Sequence, residues 1–179
     1  MDALQSVFQA STADGVDLDA VMRLVGQELL HYARLITGSA ETAEDAVHDT
    51  LVALLQQGDG ARKIESSRAW LFTVLRRKAL TYRKRIPLQF AAAFTETVEG
   101  DPAQRLILAE ALAALSQPEQ ETIVLHLWDG LTFEEISEVL DAPRGTILSR
   151  YHRAVARLRE RLGGLPETGT PVRYERSAV

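Results

Sequence analysis

Arg150, Arg153, Arg157 and Arg161 recur at steps of three and four residues. On a helix that spacing lines four guanidiniums along one face. A guanidinium is planar and always charged, and its fork fits phosphate oxygens and the O6/N7 edge of guanine. Arg144, Thr146 and Ser149 stand one turn upstream, where the same helix would begin. Together these residues could hold a polyanion and read a base edge. A second cationic cluster, Arg76, Arg77, Lys78, Arg83, Lys84 and Arg85, lies far upstream. Nothing comparable points to bond-making chemistry. His31, His48, His126 and His152 are scattered without metal-ligand spacing, and the chain has no cysteine. Glycine-rich phosphate loops, nucleophile elbows and paired catalytic carboxylates are absent from the sequence. No cofactor, no metal and no enzymatic activity are therefore expected.

The net charge of −5 at first argues against a nucleic-acid partner. Its distribution reverses that. Residues 1–61 carry 10 acidic and 2 basic side chains, and residues 62–85 carry 9 basic and 1 acidic. Residues 86–143 carry 11 acidic and 1 basic, and residues 144–162 carry 6 basic and 1 acidic. Two basic segments alternate with two acidic ones, which suggests two anion-binding surfaces and acidic faces left for another partner.

These residues need helices to hold them. A hydrophobic content of 46% belongs to a folded chain, and glycine and proline are sparse. Apolar residues recur at helical spacing in 17–37, 40–56 and 68–85, with Val21, Leu24, Val25, Leu29 and Tyr32 first. Ala43, Ala46, Val47, Leu51, Leu54 and Leu55 line the second stripe, and Trp70, Leu71, Val74, Leu75 and Leu80 the third. Residues 86–102 carry Pro87, Gly100 and Pro102 without a sustained period and read as a linker. A helix over 104–115 follows, with Leu106, Ala109, Leu112 and Ala113 inward. Pro118 opens another helix that Gly130 ends. The fold class expected is all-α: two small helical domains joined by a flexible linker. The boundaries are an N-terminal extension over 1–17, a first domain over 18–85, a linker over 86–102, a second domain over 103–162 and a loose tail over 163–179. No apolar stretch reaches the length of a bilayer span, and residues 1–16 lack a signal peptide's pattern, so the chain is expected to be soluble and cytoplasmic. Leu165–Gly169 spells a sortase pentapeptide, without the signal peptide and apolar segment that sorting needs.

The strongest local pattern runs from Gly130 to Arg161. Thr132-Phe133-Glu134-Glu135 has capping-box spacing and opens a short helix over 133–140. Asp141 to Gly145 breaks it, and a long basic helix follows. Ile136, Val139 and Leu140 can pack against Ile147, Tyr151 and Leu158. That is a helix-turn-helix whose second helix presents Arg144, Thr146, Ser149, Arg150, Arg153 and Arg157 to the major groove.

At this point the sequence resembles the extracytoplasmic-function sigma factors of the sigma-70 family. The resemblance is carried by Gly130-Leu131-Thr132-Phe133-Glu134-Glu135-Ile136, by Gly145-Thr146-Ile147, and by Ser149-Arg150 and His152-Arg153-Ala154. Upstream it continues in Leu35-Ile36-Thr37-Gly38, Ala43-Glu44-Asp45-Ala46-Val47 and Arg68-Ala69-Trp70-Leu71-Phe72. It spans about residues 18–162. The resemblance implies a promoter-specificity subunit that binds core RNA polymerase and promoter DNA and has an anti-sigma factor as a further partner, with no membrane contact of its own. It implies that Glu44, Asp45, His48 and Asp49 dock on the polymerase. It implies that the loop before the tryptophan helix, with Arg62, Lys63, Ser66 and Ser67, and the basic helix end, with Arg76, Arg77, Lys78 and Arg83, meet the −10 element. The helix-turn-helix would take the −35 element. Trp70 is expected to pack in the core rather than stack on a base.

The chain departs from the family pattern at Leu148, where a basic residue is common, and at Arg77, Thr81, Gln120 and His126. Leu148 leaves open a decoy that sequesters an anti-sigma factor without productive DNA binding. A repressor or activator using only the helix-turn-helix would leave the first domain unexplained.

Overall fold

The computed structural model describes residues 3–11, 15–82 and 102–162 of the 179. The described residues form helices and connecting turns, with no β-strand. In the first half, α1 spans Ala3–Gln9, α2 Leu18–Thr37, α3 Ala40–Leu55 and α4 Ser67–Tyr82, with a 3₁₀ segment over Gly58–Lys63. In the second half, α5 spans Pro102–Ala113, α6 Gln117–Ile123, α7 Phe133–Leu140 and α8 Arg144–Arg161. A π-turn over Val124–Trp128 extends α6.

The caps explain where the helices begin and end. Asp17 accepts the Ala20 N–H at 2.9 Å and starts α2, and Gly38, at φ 72°, returns its own N–H to the Arg34 carbonyl and stops it. Ser66 caps α4: its Oγ accepts the Ala69 N–H at 3.1 Å. Thr132 and Glu135 close the anticipated capping box, with the Thr132 N–H donating to Glu135 Oε2 at 2.9 Å. Asp141 takes a left-handed conformation, φ 49°, and turns the chain between α7 and α8. The Ser137 hydroxyl secures that turn by donating to the Ala142 carbonyl at 2.6 Å.

α2, α3 and α4 pack as a bundle around Val25, Leu29, Tyr32, Leu54, Phe72 and Leu75, all fully buried. α1 completes this bundle. Leu4 and Phe8 are buried in the same core, and Phe8 meets Trp70 edge-on at 6.3 Å. Residues 1–17, expected as an extension, therefore supply a structural helix. The Gln5 side chain ties it in at both ends, donating to the Ile64 carbonyl at 2.8 Å and accepting the Ser67 N–H at 2.9 Å. Trp70 packs in the core as expected.

Four anticipated core residues lie at the surface: Leu55, Leu80 and Leu106 are 43%, 37% and 60% exposed, and Ala113, the last residue of α5, is exposed as well. Leu55 is the last residue of α3. Leu80 sits one step past buried Ala79, about 100° around the helix. Leu106 precedes the part of α5 that is buried, which begins at Ala109.

The halves are packed together. Leu125, Leu131, Ile136, Val139 and Ile147 of the second half join the core of the first. In return Leu35 of α2 joins Leu112, Leu115, Ile123, Val124 and Ala154 in the second half's own core. The main contact runs between α4 and α7. The expected linker lies outside the described residues, except Pro102, which begins α5. The tail lies outside them too.

Candidate promoter and polymerase interfaces

α8 is buried through Ile147 and Ala154, with Tyr151 and Leu158 packed behind. Tyr151 also meets Phe133 and His126 at 5.2 and 5.1 Å, which fixes α8 against α7. That packing turns Arg144, Ser149, Arg153 and Arg157 to the surface, with Thr146 and Arg150 half-buried. Leu148 is half-buried as well. Arg144 pairs with Glu134 of α7, and the Ser149 hydroxyl donates to the Gly145 carbonyl at 2.8 Å.

Further along α8 the arginines are already engaged. Arg157 Nη1 donates to Glu119 Oε2 at 2.7 Å, and Arg153 Nε lies 3.5 Å from Glu119 Oε1. Glu119 is a buried residue of α6. Burial pushes its pKa up. The Ser116 hydroxyl and N–H, followed by the Arg157 and Arg153 charges, outweigh burial and hold it below the usual carboxylate value. The anticipated arginine face thus divides. Its N-terminal turn faces outward, while Arg153 and Arg157 share a carboxylate of their own half.

The residues anticipated for the −10 element also divide. Arg62, Lys63 and Arg77 are exposed. Arg62 additionally donates to the Ser11 carbonyl at 2.6 Å. Lys78 is half-buried, with Nζ 3.8 Å from Asp49. Ser66, Ser67 and Arg76 turn inward. The Ser66 hydroxyl donates to Glu135 Oε1 at 2.8 Å, Ser67 is buried, and Arg76 Nη2 donates to Glu121 Oε2 at 3.3 Å. Arg83 lies outside the described residues.

On α3, Glu44, Asp45 and His48 are exposed along one face. Asp49, half-buried, accepts the Tyr82 hydroxyl at 3.0 Å and so fastens α3 to α4. Asp49 therefore has a structural task besides any docking role.

A buried polar cluster between the halves was not anticipated. Asp129, just after the π-turn, lies 3.6 Å from His31 Nδ1 of α2, and Trp128 stacks on the His31 ring at 5.5 Å. Arg68 of α4 donates to the Asp129 carbonyl. Burial pushes the Asp129 carboxyl up to about 6, against the lowering influence of His31. Beside it, burial and then the Glu121 carboxylate push the Tyr32 phenol well above its ordinary value. The sequence did carry one hint of this cluster. The basic run 62–85 and the acidic run 86–143 have opposite charge and comparable size.

Family models match in both halves. Residues 21–86 match sigma-70 region 2, and residues 111–160 match sigma-70, region 4. The ECF RNA polymerase sigma factor SigL of Mycobacterium tuberculosis is 35% identical, over 78% of this chain and 88% of its own length. The RNA polymerase sigma factor YlaC of Bacillus subtilis is 28% identical, over 81% and 91%. The sigma factor RpoE of Bartonella quintana, solved with the anti-sigma factor NepR, superposes with a TM-score of 0.59 at 28% identity, covering 82% of this chain and 96% of that one. CnrH, solved with the cytosolic domain of CnrY, gives 0.60 at 25% identity, covering 90% and 97%. Two sigma-70 regions in order, on a helical frame shared with solved sigma factors, show that the chain belongs to the extracytoplasmic-function sigma factors of the sigma-70 family.

Proposed function

We propose that this sigma factor docks on core RNA polymerase through the acidic face of α3 and meets the promoter at two elements. Glu44, Asp45 and His48 are the exposed docking residues, with Asp49 at the margin. Region 2 takes the −10 element through Arg62, Lys63 and Arg77 and, when accessible, Ser66, Ser67, Arg76 and Lys78. Region 4 takes the −35 element through the first turns of α8, led by Arg144, Thr146, Ser149 and Arg150. The observation that carries this reading is the outward-facing N-terminal turn of α8, set on a capped helix-turn-helix in a chain that also holds region 2.

The protein acts in the cytoplasm and leaves the chemistry of RNA synthesis to the polymerase. No described helix is long and apolar enough to cross a membrane. An anti-sigma factor is its regulator, a reading supported by the structural relative RpoE, which was solved with the anti-sigma factor NepR.

Docking through α3 has a direct test. A like charge set against a basic partner costs several kcal/mol, and each 1.4 kcal/mol is about tenfold in affinity. Asp45→Arg is therefore expected to weaken binding to core polymerase by about tenfold or more, with unchanged binding of free DNA. Equal polymerase affinity of the two proteins would remove α3 from the docking surface.

A further inference from the structure

Gln5 stands outside the apolar contacts that seat α1. Leu4 and Phe8 enter the core, while Gln5, one step past Leu4 and about 100° around the helix, is half-buried. Its side-chain amide spends both ends on backbone far along the chain. Nε2 donates to the Ile64 carbonyl at 2.8 Å, and Oε1 accepts the Ser67 N–H at 2.9 Å. Ile64 follows the 3₁₀ segment, and Ser67 is the first residue of α4. Helix ends leave carbonyls and N–H groups without partners inside the helix, and this one amide serves such a group at each end of the corner.

A third hydrogen bond continues the attachment. Arg62 Nε donates to the carbonyl of Ser11, a buried residue just after α1, at 2.6 Å. The Arg62 guanidinium is thereby fixed at Nε, while its Nη2 lies at the surface, 3.8 Å from Asp59. The two bonds from Gln5 hold loop backbone and take no loop side chain, and Lys63 and Glu65 stay exposed.

Resting on the assignment of residues 62–67 to the −10 element above, we propose that Gln5 is a positioning residue for promoter reading: its amide holds the corner from Ile64 to Ser67 in the shape against which −10 bases are matched. A cationic loop can grip phosphates in many shapes, but matching a base edge needs donors and acceptors at fixed places. A loop ordered before DNA arrives also spares the complex the entropy of ordering it. Loss of the clamp therefore weakens discrimination among −10 sequences more than attachment to DNA.

Holoenzyme assembled with the full-length chain, offered a pool of duplexes randomised over both promoter elements, gives the test when the bound fraction is sequenced. Gln5→Met keeps the length of the side chain and removes both hydrogen bonds. Gln5→Glu keeps an acceptor for Ser67 and sets a carboxylate oxygen against the Ile64 carbonyl. Each should lower the enrichment of preferred −10 bases about fivefold, with total bound DNA and −35 enrichment within about twofold of wild type. In Gln5→Met the Ser67 amide should exchange with deuterium about tenfold faster, because its acceptor is gone. Val7→Ala trims the packed side of the same helix and leaves the clamp in place. It should lower the melting temperature and keep −10 enrichment at the wild-type level. Equal flattening by Val7→Ala, or an unchanged Ser67 amide in Gln5→Met, would reduce Gln5 to a residue of the fold and overturn the inference. So would wild-type enrichment in both Gln5 variants while Lys63→Ala lowers it, and the promoter reading would then survive. If neither Arg62→Ala nor Lys63→Ala changes −10 enrichment, the loop's assignment to that element falls and the inference with it.

Discussion

Phe8→Ala should destabilise region 2 by about 3–5 kcal/mol, the range for emptying a buried aromatic site. Phe8 is fully buried, and its ring supports Trp70 from the edge. Removing it leaves a cavity at the junction of α1 with the bundle, which relaxes only in part. Small domains hold about 5–15 kcal/mol in all, so the loss is a large share. Guanidinium unfolding followed by far-ultraviolet circular dichroism gives the number. A shift within about 0.5 kcal/mol, the scale of an ordinary surface change, would mean that α1 is a detachable extension after all. The effect should also reach function, because Gln5 of the same helix holds the Ile64 carbonyl and the Ser67 N–H beside the proposed −10 loop.

Asp129→Asn should change the pH dependence of stability by about 3 kcal/mol in total. The sign follows from the direction of the shift. Burial raises the folded-state value from 3.8 to about 6, so the folded protein holds the proton more tightly than the unfolded chain. The stability this confers is complete below the unfolded value and is lost as pH rises through the folded one. Wild type minus variant should therefore become more favourable on acidification from pH 7, with about 1.4 kcal/mol gained by pH 5. The groups facing Asp129 are His31 and Arg68, which favour its charge, and Glu28, which opposes it. Thermal melts of both proteins across pH 4–7.5 give the difference curve. A flat difference would mean that Asp129 titrates as a solvated carboxylate. Glu119 contributes with the opposite sign: its value lies below the ordinary one, so its contribution is present above that value and is lost on acidification through the lowered one.

The sequence was most informative where one local segment settles an outcome. The Thr132–Glu135 capping box, the break at Asp141 and the Ile147–Tyr151–Leu158 stripe are each contained within a few turns, and the helix-turn-helix follows from them. The extents of α2 and α3 were legible for the same reason, through their apolar stripes. α1 was not. Seven residues with two buried side chains give too short a period to separate from a loop. Leu80 and Leu106 read as core because periodicity marks a face without saying how far the partner extends along it.

The site was legible in its residue types and less so in its pairings. Arg153 and Arg157 looked like free readers, and no spacing rule links them to Glu119, 34 and 38 positions away in the chain. Arg76 and Glu121 are 45 apart, and their encounter depends on how two halves pack. Such pairings follow from tertiary packing, which charge segregation hints at without naming partners.

Promoter-directed initiation is most directly tested by run-off transcription with purified core polymerase and candidate promoter fragments. The wild-type chain should give transcripts from a defined start that core enzyme alone does not make. Arg150→Ala should reduce promoter affinity by about 1–3 kcal/mol, roughly 5–150-fold, if Arg150 reads a base edge. Failure of the wild-type chain to direct a defined start from any fragment of its own genome, while it still binds core polymerase, would contradict the account.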